Sequence, residues 1–183
     1  HFDWAKSIGG ITEDNVEDLT VDNFGNVYII GSFSDSLDFD PGVGVYNLTS
    51  NGNKDIFILK LSENGDFMWA KSFGGPGYDH GNAITVDSYG NVFVTGYFSQ
   101  TVTFDPSSSA FTLNSKGLED VYVLKVNSKG EFEWVNSVGG SGYDNGNSIT
   151  TDVYGNVVIV GSFRNSVDFD PGADPLILTS NGN

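Results

Sequence analysis

The chain has no cysteine, one methionine and only eight lysines plus arginines among its 183 residues. Without thiols it has no disulfide framework, no thiolate nucleophile and no cysteine metal site. Against 24 Asp plus Glu, the few cations leave a formal net charge of −16. They do not cluster, so a phosphate backbone would find no matching patch, and nucleic acid is not expected as a partner. The same charge disfavours an anionic membrane surface. No apolar run approaches the roughly 18 residues that membrane insertion needs. Helical periodicity of useful length is missing as well. What is plentiful is glycine, at 24 residues, and aromatics, at 14%. That aromatic content is too rich for a disordered chain and points to a packed core.

A single period organises these residues. "LDFDPG" at 37–42, "VTFDPS" at 102–107 and "VDFDPG" at 167–172 place Asp40, Asp105 and Asp170 at intervals of 65. Trp4, Trp69 and Trp134 keep the same interval, as do Gly31, Gly96 and Gly161. Such a period points to propellers, solenoids or domain arrays. The chain divides into 1–10, expected as the closing strand of a blade, then repeats at 11–75 and 76–140, and an incomplete third repeat at 141–183. The missing 12 residues correspond to "KDIFILKLSENG" (54–65). The expectation is a fragment of a longer repeat chain, or one that completes itself by self-association. The opening strand is expected to complete the blade of 145–163, or a preceding blade.

Within the middle repeat, "GNAITVDSYGNVFVTGYF" (81–98) holds two β-rich runs around a "DSYGN" turn, and the turn recurs as "DNFGN" (22–26) and "DVYGN" (152–156). Asp starts such turns by bonding nearby backbone, and Gly supplies positive φ. "DVYVLKVNSKGEFEW" forms a second hairpin. Four principal strands follow, near 82–87, 91–98, 120–126 and 131–138, with a short extra strand at "AFTL" (110–113). In "NVYIIGSF" both Val27/Ile29 and Tyr28/Ile30 are apolar, so each sheet is expected to be covered on both faces. The fold class is therefore all-β, a β-propeller-like tandem repeat of four-stranded antiparallel blades, about three in number. A row of small β-sandwiches is the alternative.

These residues, with the closing "GG", resemble the bacterial repeat family described as seven-bladed β-propeller-type, in a variant carrying an inserted "VDFDPG" segment. The resemblance implies four-stranded blades and a secreted or cell-surface bacterial setting. It implies little about activity, because propellers host unrelated functions.

Asp38 with Asp40, and Asp168 with Asp170, lie two apart and project to one side of an extended segment. Hard oxygen ligands so close together suit calcium, the one cofactor expected, with Asp105 as the third member; Thr103 stands where the other two repeats have their first aspartate. The competing expectation is structural: the aspartates cap backbone N–H groups while Phe39, Phe104 and Phe169 anchor the loop. In the connections "GGPGYDHGNAI" and "GGSGYDNGNSI", Tyr78 with Asp79 and Tyr143 with Asp144 are candidate ligand-binding residues for a sugar or peptide. Glu13, Asp14, Glu17 and Asp18 read as a solvated edge, and the three tryptophans as inter-blade packing. No catalytic Ser-His-Asp set is visible, and no catalytic residue is assigned. The function expected is a non-catalytic module that binds protein or glycan, or scaffolds. The alternatives are a polysaccharide-acting enzyme using an acidic pair, and a structural spacer.

Overall fold

The computed structural model describes residues 2–105, 111–170 and 174–182. Sixteen strands and no helix occur among the described residues. In the first repeat they are β1 (Asn15–Val21), β2 (Val27–Phe33), β3 (Ser36–Asp38), β4 (Asn47–Thr49), β5 (Asp55–Leu61) and β6 (Phe67–Phe73). The second repeat gives β7 (Asp79–Val86), β8 (Val92–Phe98), β9 (Thr101–Thr103), β10 (Thr112–Asn114), β11 (Asp120–Val126) and β12 (Phe132–Val138). The third gives β13 (Asn145–Thr151), β14 (Val157–Ser162), β15 (Ser166–Asp168) and β16 (Ile177–Thr179).

Two antiparallel four-stranded sheets result, ordered β1-β2-β5-β6 and β7-β8-β11-β12, and the third repeat contributes the pair β13-β14. Strands β3-β4 and β9-β10 are separate two-stranded ribbons inserted between the second and third strands of their sheets, and β15-β16 is the same ribbon following β14. The short strand expected at 110–113 is thus β10, at Thr112–Asn114, and its partner is β9. Residue 110 lies outside the described residues. The first strand of each repeat lies innermost, with β7 against both β1 and β13, and the sheets do not close into a ring.

The β1–β2 turn shows how the sequence builds each hairpin. Asp22 Oδ1 accepts from the N–H of Phe24 and of Asn26, both at 2.9 Å, and Oδ2 accepts from Asn26 Nδ2. Gly25 takes φ +82°, a left-handed value that a β-carbon would strain. The same bonds recur at Asp87 and Asp152.

Packing is two-sided, as the alternation requires. Tyr28, Ile30, Ile56 and Ile58 are buried against Ile84, Val94, Tyr122 and Leu124 of the second sheet. Phe57, Leu59 and Leu61 face the other way, and Ile29 is half-buried beside Trp4 and Ile8 of the N-terminal segment. The second sheet's far face, with Ala83 and Phe93, meets Ile149, Val157 and Ile159. Val158 and Val160, on the outer face of the third pair, are exposed by 51% and 61%.

Tryptophan joins neighbouring sheets. Trp69 Nε1 donates to Ser128 O at 3.2 Å, and Trp4 Nε1 donates to Glu63 O at 2.9 Å, each reaching 59 residues along the chain. Residues 2–10 belong to no strand, yet Trp4 stands on the first sheet as Trp69 stands on the second.

Candidate functional site

The connections between sheets are organised by an aspartate that recurs at 14, 79 and 144. Asp79 Oδ2 accepts from Gly75 N at 2.8 Å and Oδ1 from Ser99 N at 3.1 Å. Asp144 does the same with Gly140 N and Arg164 N, and Asp14 with Gly10 N and Ser34 N. Each carboxylate ties the incoming loop to the end of the second strand. Asp79 and Asp144 are 0% and 1% exposed, so they hold the junction from within. Their neighbours do reach solvent: Tyr78 is 53% and Tyr143 45% exposed, the latter under the Arg164 guanidinium at 5.4 Å. The expected Tyr–Asp pairs are therefore split, the tyrosine outward and the aspartate inward.

A second buried acid lies at each junction. Asp55 begins β5 and Asp120 begins β11, and they are 0% and 1% exposed. Asp55 Oδ2 accepts from Asn51 N and Nδ2, and Asp120 Oδ2 from Lys116 N. Oδ1 of both carboxylates is buried with no hydrogen-bond partner. Burial pushes Asp79 up to about 7 against the pull of its two backbone N–H bonds, and the nearby Asp55 adds to the rise. Burial raises Asp55 too. Burial therefore favours the protonated form of both carboxyl groups relative to solvated aspartates.

The "DFDPG" acids are turn-formers. Asp38 Oδ1 accepts from Tyr46 N at 2.8 Å and Asp40 N at 3.0 Å, and these bonds hold Asp38 below the usual carboxylate range. Asp40 Oδ1 accepts from Gly42 N at 2.8 Å. Asp168 Oδ1 repeats the first pattern with Leu176 N and Asp170 N. In the middle repeat Thr103 Oγ1 lies 3.2 Å from Thr112 Oγ1 across the ribbon; Asp105 precedes residues 106–110, which lie outside the described residues. Phe39 and Phe104 are fully buried anchors, whereas Phe169 is 39% exposed. Among the described residues, no three His, Cys, Asp or Glu side chains converge as a metal-binding group.

His80 stacks on Tyr97 at 4.7 Å and places Nδ1 3.2 Å from Ser32 Oγ. Ser32 is fully buried inside the junction, so this contact packs and presents no nucleophile.

One set of residues escaped the sequence reading. Phe24, Tyr89 and Tyr154 occupy one position of the "D-x-aromatic-G-N" turn and are 79%, 85% and 87% exposed. The turn is held by Asp, Gly and Asn, so its geometry does not need the aromatic ring. Three registered copies of an unnecessary aromatic were the available signal.

Against known proteins, residues 69–97 match the family model described as "Beta-propeller repeat". The chain is 28% identical over 202 aligned positions to an uncharacterized WD repeat-containing protein of Acanthamoeba polyphaga mimivirus, covering 97% of this chain and 14% of that protein. It is 23% identical over 151 positions to the regulatory protein FlaEY of Caulobacter vibrioides, covering 82% of this chain and 16% of that protein. The chain thus spans about one-sixth or less of the length of these relatives. No helix among the described residues is long and apolar enough to cross a membrane. The all-β sheets at a fixed period and the match at 69–97 agree on the fold, a β-propeller-like tandem repeat of antiparallel sheets.

Proposed function

We propose that the chain is a non-catalytic binding or scaffolding module carried within a larger protein. One observation carries this reading: the acids that repeat in register hold backbone N–H groups. Asp22, Asp87 and Asp152 close hairpins, Asp14, Asp79 and Asp144 clamp junctions, and Asp38 and Asp168 shape ribbon turns. A carboxylate occupied in this way is a poor general acid or nucleophile. The repeated outward surface suits recognition at several equivalent points. Similarity to a WD repeat-containing protein supports the same reading.

The experiment is a glycan and protein-partner binding panel followed by product analysis. Retention without turnover supports the module. Cleavage abolished by one carboxylate substitution would establish a polysaccharide-acting enzyme, and silence across the panel would leave a spacer.

A further inference from the structure

The first junction holds an open cleft between the β1–β2 turn and the β7–β8 turn. Its volume is about 200 Å³, and Phe24 and Tyr89 stand among its walls with Asp22, Tyr28, Lys60, Asp87 and Ser128. That volume is well above the roughly 10–15 Å³ needed to admit one water, and leaves space for one small ring. Both aromatics are mostly solvent-exposed and are carried by turns that their aspartates make rigid.

The floor of the cleft has hydrogen-bonding capacity to spare. The Lys60 side chain is only 8% exposed, yet Nζ stands 4.0 Å from Asp22 Oδ2, beyond hydrogen-bond distance, and 4.7 Å over the Tyr28 ring. Among the described residues its N–H groups meet no hydrogen-bond acceptor, and the long ion pair with Asp22 is the contact they keep. Asp22 has none to offer: Oδ1 takes two backbone N–H groups, and Oδ2 takes Asn26 Nδ2 and the Tyr28 hydroxyl at 3.1 Å. A carboxylate has about four acceptor positions, and these are filled. Asp87 accepts three such bonds among the described residues, one fewer than Asp22, which leaves one of its acceptor positions for a ligand.

The second junction lacks this arrangement. Phe93 replaces Tyr28 and has no hydroxyl, and Lys125 Nζ is drawn to Glu133 at 2.7 Å. In the first repeat the position of Glu133 is Met68, which leaves Lys60 only the 4.0 Å pairing with Asp22 and the Tyr28 ring. The repeat symmetry is broken where the spare donor appears.

We propose that this cleft is a binding site for a neutral, hydroxyl-rich sugar ring of a polysaccharide. This names a ligand class and a place for the binding role argued above and rests on that reading. Aromatic faces suit the C–H face of a pyranose. One free cationic donor beside one free carboxylate position suits hydroxyls, which both give and accept. The chain's charge of −16 and the carboxylates of Asp22 and Asp87 oppose phosphate, sulfate or uronate groups, and Lys60 opposes a cationic ligand.

The test is amide-resolved NMR titration of the intact chain with neutral gluco-, manno- and galacto-configured hexasaccharides, with a sulfated hexasaccharide alongside. Shifts centred on Phe24, Lys60, Tyr89 and Ser128 with a neutral sugar are expected. Tyr89→Ala and Lys60→Met should each weaken binding about tenfold, from one lost stacking or hydrogen-bonding contact. Tyr154→Ala, on the equivalent turn outside the cleft, should leave it unchanged; unaltered melting temperatures verify the folds. Shifts centred on Tyr78 and Tyr143 instead would overturn the cleft and keep the binding module. Equal losses from Tyr154→Ala and Tyr89→Ala, or preference for the sulfated sugar, would also overturn the cleft. No binding by any sugar overturns the cleft; if the protein-partner panel is silent too, the module falls with it.

Discussion

The two built junctions and the outer side of β1 differ at one residue position. At the junctions it is Gly81 and Gly146, and on β1 it is Val16. A β-carbon at 81 would sit 2.5 Å from Ile30 Cγ1, and one at 146 would sit 2.2 Å from Thr95 Oγ1. Val16 is 66% exposed, and no described sheet packs across it. Glycine is there to let an inner strand lie on the preceding sheet. Where that contact is missing, a β-branched residue fits.

The largest effect should come from carrying the valine into a junction. Gly81→Val forces its methyl groups into Ile30 and Ile56, at a cost of roughly 3 kcal/mol or more, from overpacking a filled core. Val16→Gly should cost under about 1 kcal/mol, mostly the entropy of glycine in a strand. Chemical denaturation of both variants sharpens the comparison; equal costs would break it.

The next effect separates the junctions from ordinary acidic surfaces. Asp79, pushed to about 7, binds a proton more tightly folded than unfolded, where an aspartate titrates near 3.9. Its contribution is complete below about pH 4 and is lost as pH rises through 7, on the order of 2–4 kcal/mol. Asp22, Asp38 and Asp152 are lowered by hydrogen bonds, so their contributions are lost as pH falls below about 4. Stability should therefore peak near pH 5 and decline toward pH 8, as melting temperatures across that range would reveal. Asp55→Asn, which puts an uncharged amide in the pair, should flatten the decline. A wild-type curve that rises from pH 5 to 8 would contradict the raised, buried Asp79.

A smaller effect is expected at the ribbons. Asp38→Ala removes the oxygen that accepts two backbone N–H groups and should lower the melting temperature slightly. Calcium against chelator should shift the melting temperature by under about 1 °C, because among the described residues no third carboxylate or imidazole joins Asp38 and Asp40. A rise of several degrees, lost in Asp40→Ala, would restore a calcium site.

Much of this architecture was legible because the period is fixed. The alternation at Tyr28 and Ile30 gave the buried faces, and "DSYGN" gave the hairpins. The role of Asp79 was not legible: its partners, Gly75 N and Ser99 N, are backbone groups brought together by the packed loop. Nor was the cleft, since Lys60 and Tyr89 lie 29 residues apart on different sheets and meet only through stacking. Asp38 and Asp40 invited a metal reading because spacing along a strand does not reveal which backbone N–H groups fold back onto it.

The central claim, recognition without catalysis, is tested most directly by incubating the intact chain with neutral polysaccharide and measuring bound protein and new reducing ends together. The account predicts protein retained on the polymer with no reducing ends above the blank. Accumulating reducing ends, abolished by replacing a single carboxylate, would contradict it.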